Sequence, residues 1–597
     1  MAKDRKTKTL LTEDSQAFNG KFWASILYFS TIPWLIASWA SWLLDNRLVT
    51  ICFFAISLFP LKDFVFNLSK SKRIDIHQFK FRVVVIVIPT LIFTSAFITG
   101  DLTWDSNNYH LTVMNLIWQH FGYGDWPLVL GAQYGASLVT LQSALICGLL
   151  GDIRWVGFVN LLYFSGIFLL LSSFLRKYFK SPIINLTLVV TMLSCTTILQ
   201  SLSLAYTDIP LAFFVVGLLC GLINGVLGDF SKHNYWLVTF ATIGVISSKS
   251  SSAFLIILVA PIFTLYFWKL IKFGSTPKWK LILPIFTLTI SLFSPIRAFK
   301  ETGQPTYPFG SNLFSKPAPF DFQALNSALD GSRSLETQGM SIFHASFYNW
   351  FAAIPNFIFN SSLYFRGEPN NLEAFFVSDA RPLAYGPIFH LLLAAFLTFG
   401  LLNWTLTSLQ NKSITLIVVS LLLVMTFGHT APFLRYTYGV GLFIFPTLVL
   451  IITGQSQFLI KISRVIFATT ILISIPLNLG VISEKIEREK SFTKESNLSR
   501  FYAISGDKSF KIPECPKVYL LTQLPMFNAY IWGEKMCGAI VPFSEANLIV
   551  SSQEKTYIEG INVENIECKD DGYQSQVTTI FGYPSNLFDP RQCQRKP

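Results

Sequence analysis

The chain is 597 residues long, 52% hydrophobic and only 13% charged, and it carries 57 phenylalanines. Its apolar runs approach the ~20 residues that cross a bilayer, which excludes a soluble globular fold, and they do not alternate, which excludes a β-barrel. The formal net charge of +12 is spread over short Lys/Arg clusters between those runs. That is the positive-inside pattern, and no nucleic-acid partner is expected.

The leader "MAKDRKTKTLLTEDSQAFNGK" is polar and basic. The apolar run after it is long enough to stay as an anchor, so no cleavable signal peptide is expected. Spans at about 22–43 and 48–68 leave the leader and the loop "KSKRIDIHQFKFR" (70–82) in the cytoplasm. A span at 83–99 then exits, and "TGDLTWDSNNYHLTVMNLIWQHFG" (99–122) falls on the outer face. Of the next two apolar runs, 133–150 and 154–175, the second ends in the cytoplasmic marker "RKYFK". The rule holds only if 154–175 crosses while 133–150 lies along the outer face or re-enters.

Span 181–203 delivers "AYTDIP" outside, and 209–228 returns to "GDFSKHN". Region 235–269 reads as two short helices bent at "SSKSSS", with Lys249 at the outer turn. Span 280–295 leads to a long outer segment, 296–385, and spans at 386–408, 413–428, 438–453 and 463–481 follow. The threading uses roughly 13 spans with every basic cluster between them inside.

The tail, 484–597, is ordinary in polarity and reads as a small outer mixed α/β domain, with short strands in "KVYLLT", "GAIVPF" and "NLIVSS". The domains expected are thus 1–82 (leader and two extra helices), 83–483 (the transmembrane catalytic part) and 484–597. Cys52, Cys147, Cys195 and Cys220 lie in apolar runs and read as small hydrophobes. Cys515, Cys537, Cys568 and Cys593 all fall in the tail and suggest two disulfides, with three pairings open. The tail has no CxxC and no histidine, so zinc is not expected there.

The strongest functional signal is a convergence. Asp101, Asp105, Tyr109, His110, Asp208, Lys249, Arg297, Lys300, His429 and Arg435 come from distant parts of the chain, yet one topology brings them all to the outer side. Ionisable groups at a membrane boundary usually face a cavity or a partner. Asp105 and Tyr109 share a face if their stretch is helical, and a carboxylate there suits general-base work on a hydroxyl. The plainer alternative is a helix start at "WDSN" with Trp104 and Tyr109 in the aromatic belt.

Asp208 in "TDIP" taken alone is a helix-start acid, with Pro210 in the first turn. Lys249 among serines calls for an anion, and hydroxyl-rich surroundings suit a phosphate. Arg435 offers a planar fork for phosphate oxygens, and Arg297 either does the same or snorkels to the interface. His77 and His233 fall in cytoplasmic loops, and His344 and His390 stand isolated. There is no HExxH, P-loop, usable GxGxxG or DxD, and cations on a phosphate make a metal unnecessary.

In order and spacing these motifs resemble the GT-C superfamily of membrane glycosyltransferases, which includes protein O-mannosyltransferases and aminoarabinose transferases acting on lipid A. The family's D-x-x-x-Y of the first large outer loop is similar to "WDSNNYHL", with Asp105 and Tyr109. Its D-x-P-L-A-F-F is similar to "TDIPLAFF", with Asp208, and a lysine after small residues corresponds to Lys249. "RAFKETGQPTYP" (297–308) and "RYTYGVGLFIFP" (435–446) resemble two later motifs, although GQP replaces GNP and Ala298 stands where the family has Asn. The resemblance covers about 83–450.

The resemblance implies an α-helical polytopic fold, GT-C-like, with 107–121 and 133–150 as membrane-parallel helices of the first outer loop. It implies an inverting glycosyltransferase that moves a sugar from a polyprenyl-phosphate or polyprenyl-diphosphate donor to a hydroxyl of a glycolipid, glycan or protein acceptor. Asp105 would be the base, and Asp208 would orient the acceptor or share that role. Lys249 and Arg435, with Arg297, would hold the leaving phosphate. Tyr109, His110, Tyr307 and Tyr436 would position donor and acceptor. No cofactor is required and no divalent metal is implied. The expected setting is a bacterial inner membrane, with the site and the tail periplasmic. Two other readings stay open: an O-antigen ligase or polymerase-like enzyme using late Arg and His residues, and a transporter or flippase of a lipid-linked glycan. A transporter would place its charges near the bilayer midplane and often carries internal repeats.

Overall fold

The computed structural model describes residues 19–60 except 45, 76–99, 110–120, 138–249, 253–273, 289–302, 305, 309–310, 320–321, 339–352, 385–402, 437–454 and 457–490. The tail domain with its strands and four cysteines, and the span at 413–428, lie outside the described residues. In chain order the helices are α1 (Gly20–Leu44), α2 (Arg47–Ser57), α3 (Ile76–Thr99), α4 (Leu111–His120), α5 (Leu138–Leu150), α6 (Val156–Tyr178), α7 (Ile184–Ser194) and α8 (Thr196–Gln200). Then come α9 (Asp208–Val226), α10 (Lys232–Ser248), α11 (Ala253–Phe273), α12 (Phe293–Thr302), α13 (Ile342–Phe347), α14 (Pro387–Leu402), α15 (Tyr438–Thr453) and α16 (Gln457–Lys490). Two short stretches, Phe309–Gly310 and Phe320–Asp321, pair in parallel.

Four of these helices are long and apolar enough to cross a bilayer: α1, α6, α9 and residues Gln457–Gly480 of α16. The protein is a helical membrane protein. In hydrocarbon every backbone group must be satisfied internally, so helices are the form apolar runs take. Hydroxyls inside the bundle are carried cheaply because they bond back to their own helix: Thr31 to Leu27 O (2.7 Å), Thr191 to Thr187 O (2.7 Å), Thr447 to Phe443 O (2.7 Å).

Helix α9 is the axis of the core. All its residues from Asp208 to Gly225 are buried, and it packs against α6, α10, α11 and α15. Gly217, Gly221 and Gly225, four apart, let neighbours close in on it: a Cβ at Gly221 would stand 2.7 Å from Val238 of α10. Small residues at this spacing are the usual means of close helix approach where lipid supplies no hydrophobic drive. α1 belongs to this core, with Leu27 and Leu35 fully buried, although α1 falls outside the part that carries the resemblance. Region 235–269 breaks at Lys249 as expected, but its halves are 17 and 21 residues long, not short.

Among the described residues the expected span 48–68 is helical only over Arg47–Ser57, with a turn at 58–60. The run 181–203 is not one helix: α7 stops at Ser194, Cys195 leaves helical geometry (φ −85°, ψ 61°), and α8 and a 3₁₀ turn at Ser201–Ser203 follow. Buried amides take carbonyls on either side of these short segments. Asn160 of α6 donates to Leu204 O at 2.6 Å, and Asn478 of α16 donates to Leu193 O at 2.9 Å. The run 133–150 packs into the bundle over its described part. Leu138 and Val139 join the main core, while Leu141, Ala144 and Cys147 join a second cluster. Gln142 donates to Ser30 O (2.9 Å), midway along α1, and accepts from Tyr163 (2.8 Å). α5 is therefore packed against α1 and α6.

The bundle has two ends. At the Lys177 end basic side chains collect: Lys21, Arg176, Lys177 and Lys232, with Lys269 bonding the last turn of α9 at Val226 O (2.8 Å). A polar belt ties α6, α7, α9 and α10 there. Lys177 reaches Asp229 at 2.7 Å, Tyr178 bonds Asn224, Arg176 bonds Asn185 at 2.7 Å, and Asn234 donates to Gly221 O at 2.9 Å. The other end holds Asp208.

Candidate functional site

α9 and α10 form an antiparallel hairpin turned at 227–231, so the first residue of α9 and the residue after α10 meet at the same end. Asp208 opens α9, where the positive end of the helix favours a carboxylate. Lys249 follows α10 in extended backbone (φ −159°, ψ 138°). Its Nζ donates to Asp208 Oδ1 at 2.8 Å. The partners differ in exposure: the Asp208 side chain is 2% exposed and that of Lys249 is 18% exposed. Breaking a pair this buried costs about 3–5 kcal/mol.

Ser247, two residues before Lys249, donates to Ser291 O at 3.4 Å and so links the end of α10 to the start of α12. α12 carries Arg297, 1% exposed, on the same face as Phe293 one turn earlier. Phe293 packs edge-on against Trp39 and Trp42 of α1, with centroids at 5.3 and 5.8 Å. Trp39 Nε1 donates to Ile290 O at 2.9 Å, and the Lys300 ammonium lies 4.6 Å from the Trp42 ring centre. Two tryptophans of α1 thus hold the helix that bears Arg297. This was missed from sequence. The signal available was "SWASW" (38–42), which puts two aromatic rings one turn apart at the end of a span.

His110 is buried, and its ring centre lies 5.8 Å from that of Tyr206, two residues before Asp208. Just beyond it, Leu111, Val113, Met114 and Ile117 of α4 pack with α5, Val156, Ala205 and Phe293 in the second hydrophobic cluster. That cluster joins α4 to the approaches of both Asp208 and Arg297. The structure therefore brings together Asp208 and Lys249 directly, and joins His110 and Arg297 to their surroundings through Tyr206, Ala205 and Phe293. Asp105, Tyr109, Tyr307, Arg435 and Tyr436 lie outside the described residues, as do Cys515, Cys537, Cys568 and Cys593.

His390 is not isolated, as the sequence suggests. It is fully buried, its Nδ1 bonds Trp350 O (3.0 Å), and its Nε2 accepts from the Tyr385 backbone N–H (3.3 Å). Both ring nitrogens are engaged in packing α13, its following turn and α14 together. Among the described residues no group of three His, Cys, Asp or Glu side chains could hold a metal ion. The free thiols of Cys147, Cys195 and Cys220 are buried, and Cys52 is exposed.

Chemically, this end presents an ammonium backed by a carboxylate, a guanidinium on a clamped helix, and an imidazole beside a phenol. Such a set has the chemistry to bind an anion and orient hydroxyl groups around it. No protein-family model, no curated protein and no solved structure matches the chain.

Proposed function

We propose that the protein is an inverting membrane glycosyltransferase, using a polyprenyl-phosphate or polyprenyl-diphosphate sugar and an acceptor hydroxyl. The observation that carries this reading is the buried Asp208–Lys249 pair at the end of two core helices, with the lysine the more exposed partner. A buried charge pair is a poor source of stability, so its place at a helix end favours ligand chemistry. The basic side chains at the opposite end favour a cytoplasmic Lys177 end, which puts the Asp208 end on the outer, periplasmic side of a bacterial inner membrane. Roughly 13 crossings and the outer tail domain belong to the same reading.

The donor's lipid would stay in the bilayer with its phosphate at Lys249 and Arg297, and Arg435 as a third cation. Asp105 would take the proton of the acceptor hydroxyl. The oxygen would then attack the anomeric carbon as the bond from that carbon to the phosphate oxygen breaks on the opposite face, inverting the centre. The leaving phosphate would depart with the bonding electrons, and the fixed cations would offset the charge it gains. Tyr109, His110, Tyr307 and Tyr436 would position donor and acceptor, and no step calls for a cofactor.

The test is a transfer assay on full-length protein in lipid, with radiolabelled polyprenyl-phosphate sugars and a membrane extract, comparing wild type with Asp105→Asn. Label moving to a new product, and lost in the variant with donor binding kept, supports the reading. Equal turnover by the variant would remove Asp105 from the mechanism and favour a ligase-like enzyme. Lipid moving between leaflets without transfer would favour a transporter.

A further inference from the structure

We infer that Asn160 is a positioning residue for the outer site: its amide holds the non-helical stretch 204–207 against α6, and so sets where Tyr206 and its neighbour His110 stand beside Asp208. This role rests on the transferase reading and adds to it a residue that no sequence motif marks.

Between α7 and α9 the bundle gives up regular structure. The run 181–203 is apolar enough to continue as one helix. It breaks at Cys195, restarts for five residues as α8 and ends in the 3₁₀ turn Ser201–Ser203. Residues 204–207 then reach Asp208 without belonging to a helix, and Leu204, Ala205, Tyr206 and Thr207 are all buried. Irregular backbone inside a membrane bundle is tolerated where the protein satisfies it or where it lines a cavity. α6 is shaped to receive it. Asn160 is buried, and its Nδ2 donates to Leu204 O at 2.6 Å, with Ser201 O at 3.4 Å and Leu202 O at 3.5 Å around the same amide. Gly157 lies three residues earlier on the same face of α6. It lets the turn lie directly on the helix: a Cβ there would stand 2.6 Å from Leu202 O and 2.8 Å from the Phe93 ring.

Asp208 itself is fixed by α9, which is buried along nearly its whole length. Tyr206 has no helix of its own to fix it. It follows Leu204 by two residues, and its ring centre lies 5.8 Å from that of the buried His110. Only the soft dihedrals of a few residues separate the Asn160 tether from that ring, so a shift of the tether is passed on to it. The plainer role for Asn160 is a cap that only satisfies carbonyls. Losing such a cap would cost about 1 kcal/mol of stability. It would lower the amount of folded protein and leave the work of each folded molecule unchanged.

The experiment measures kcat and KM for a radiolabelled polyprenyl-phosphate sugar on full-length protein in nanodiscs, with a membrane extract as acceptor. kcat is counted per molecule that binds undecaprenyl phosphate, so unfolded protein does not enter it. Asn160→Leu removes the donor at similar volume. We expect kcat to fall about tenfold or more with KM within about threefold, the pattern of a misplaced group in the step itself. Gly157→Ala should give the same pattern by pushing on Leu202 O without touching Asn160. Asn160→Gln, which keeps the amide on a longer stem, should fall between Asn160→Leu and wild type. These two variants carry the test if Asn160→Leu does not fold. In a His110→Ala background, Asn160→Leu should cost no more than about twofold further, because its effect runs through His110.

Unchanged kcat per binding molecule in these variants, whatever the KM, would overturn the role of Asn160 and leave the transferase reading standing. So would a full further loss in the His110→Ala background. Wild type that transfers no label from any polyprenyl-phosphate sugar would overturn the transferase reading and the positioning role with it.

Discussion

α9 has an acid–lysine pair at each end, and the two pairs are built differently. Asp229, three residues past the helix, meets Lys177 at 2.7 Å with both side chains 28% exposed. Asp208, the first residue of the helix, meets Lys249 at 2.8 Å with exposures of 2% and 18%. The first pair is symmetric, partly solvated and embedded in a belt of amides and hydroxyls. The second is asymmetric and nearly dry. If joining helices were the whole purpose, the cheaper design of the Lys177 end would serve at both. The dry design places a cation at a helix end with its counter-charge behind it, which is useful for holding an anion.

The largest expected effect breaks this comparison directly. Lys249→Met breaks the nearly dry pair and should destabilise the protein by about 3–5 kcal/mol, with loss of transfer. Lys177→Met should cost about 0–1 kcal/mol and leave transfer intact. Both are read by denaturation midpoints and the transfer assay in the same lipid. Equal losses in the two variants would show that the ends are energetically alike and would remove the functional reading of the asymmetry.

A smaller effect sharpens it. Trp39→Phe keeps the ring against Phe293 but removes the indole N–H that bonds Ile290 O at 2.9 Å. The expected loss of stability is about 1 kcal/mol. If α12 must be held for Arg297 to serve the site, donor affinity should fall further than Trp34→Phe makes it fall, since the Trp34 Nε1 bond to Phe29 O lies within α1 itself. Equal donor affinities in the two variants would show that the clamp is only structural.

Much of this was legible in sequence because helices in lipid are dictated by apolar runs. α1, α6, α9 and α15 match their expected spans to within a few residues, and the positive-inside rule alone puts Asp208 and Lys249 at one end. Their contact was not legible. Both residue types suit an anion site separately, and only the hairpin of α9 and α10 makes one the support of the other. The break at Cys195 was hidden because the run 181–203 is apolar throughout. The cause lies in Asn160 and Asn478, which accommodate freed carbonyls from elsewhere in the chain. The packing of α5 was hidden likewise, since Gln142 looks like an interruption until Ser30 and Tyr163 are seen to bond it. The clamp on α12 was overlooked because it comes from α1, which the family motifs do not cover.

The smallest expected effect concerns acid stability at the Lys177 end. Burial opposes the charge on Asp229, but the hydrogen bond and charge of Lys177, with the hydroxyl and backbone N–H of Ser231, hold its carboxyl below the ordinary value of 3.8. A carboxyl depressed on folding stabilises the native state in full above its unfolded value and loses that contribution as pH falls through the folded value. Wild type should therefore lose stability below about pH 4 in part through this pair. Lys177→Met removes the main groups holding the carboxyl down and leaves burial to push it up. The variant should then lose this acid sensitivity, its stability staying level or rising where that of wild type falls, measured as denaturation midpoint against pH between about 3 and 6. Superimposable profiles would mean that Lys177 does not set the acid response, and the polar belt would have to be attributed to Asn224, Ser231 and Asn234 instead.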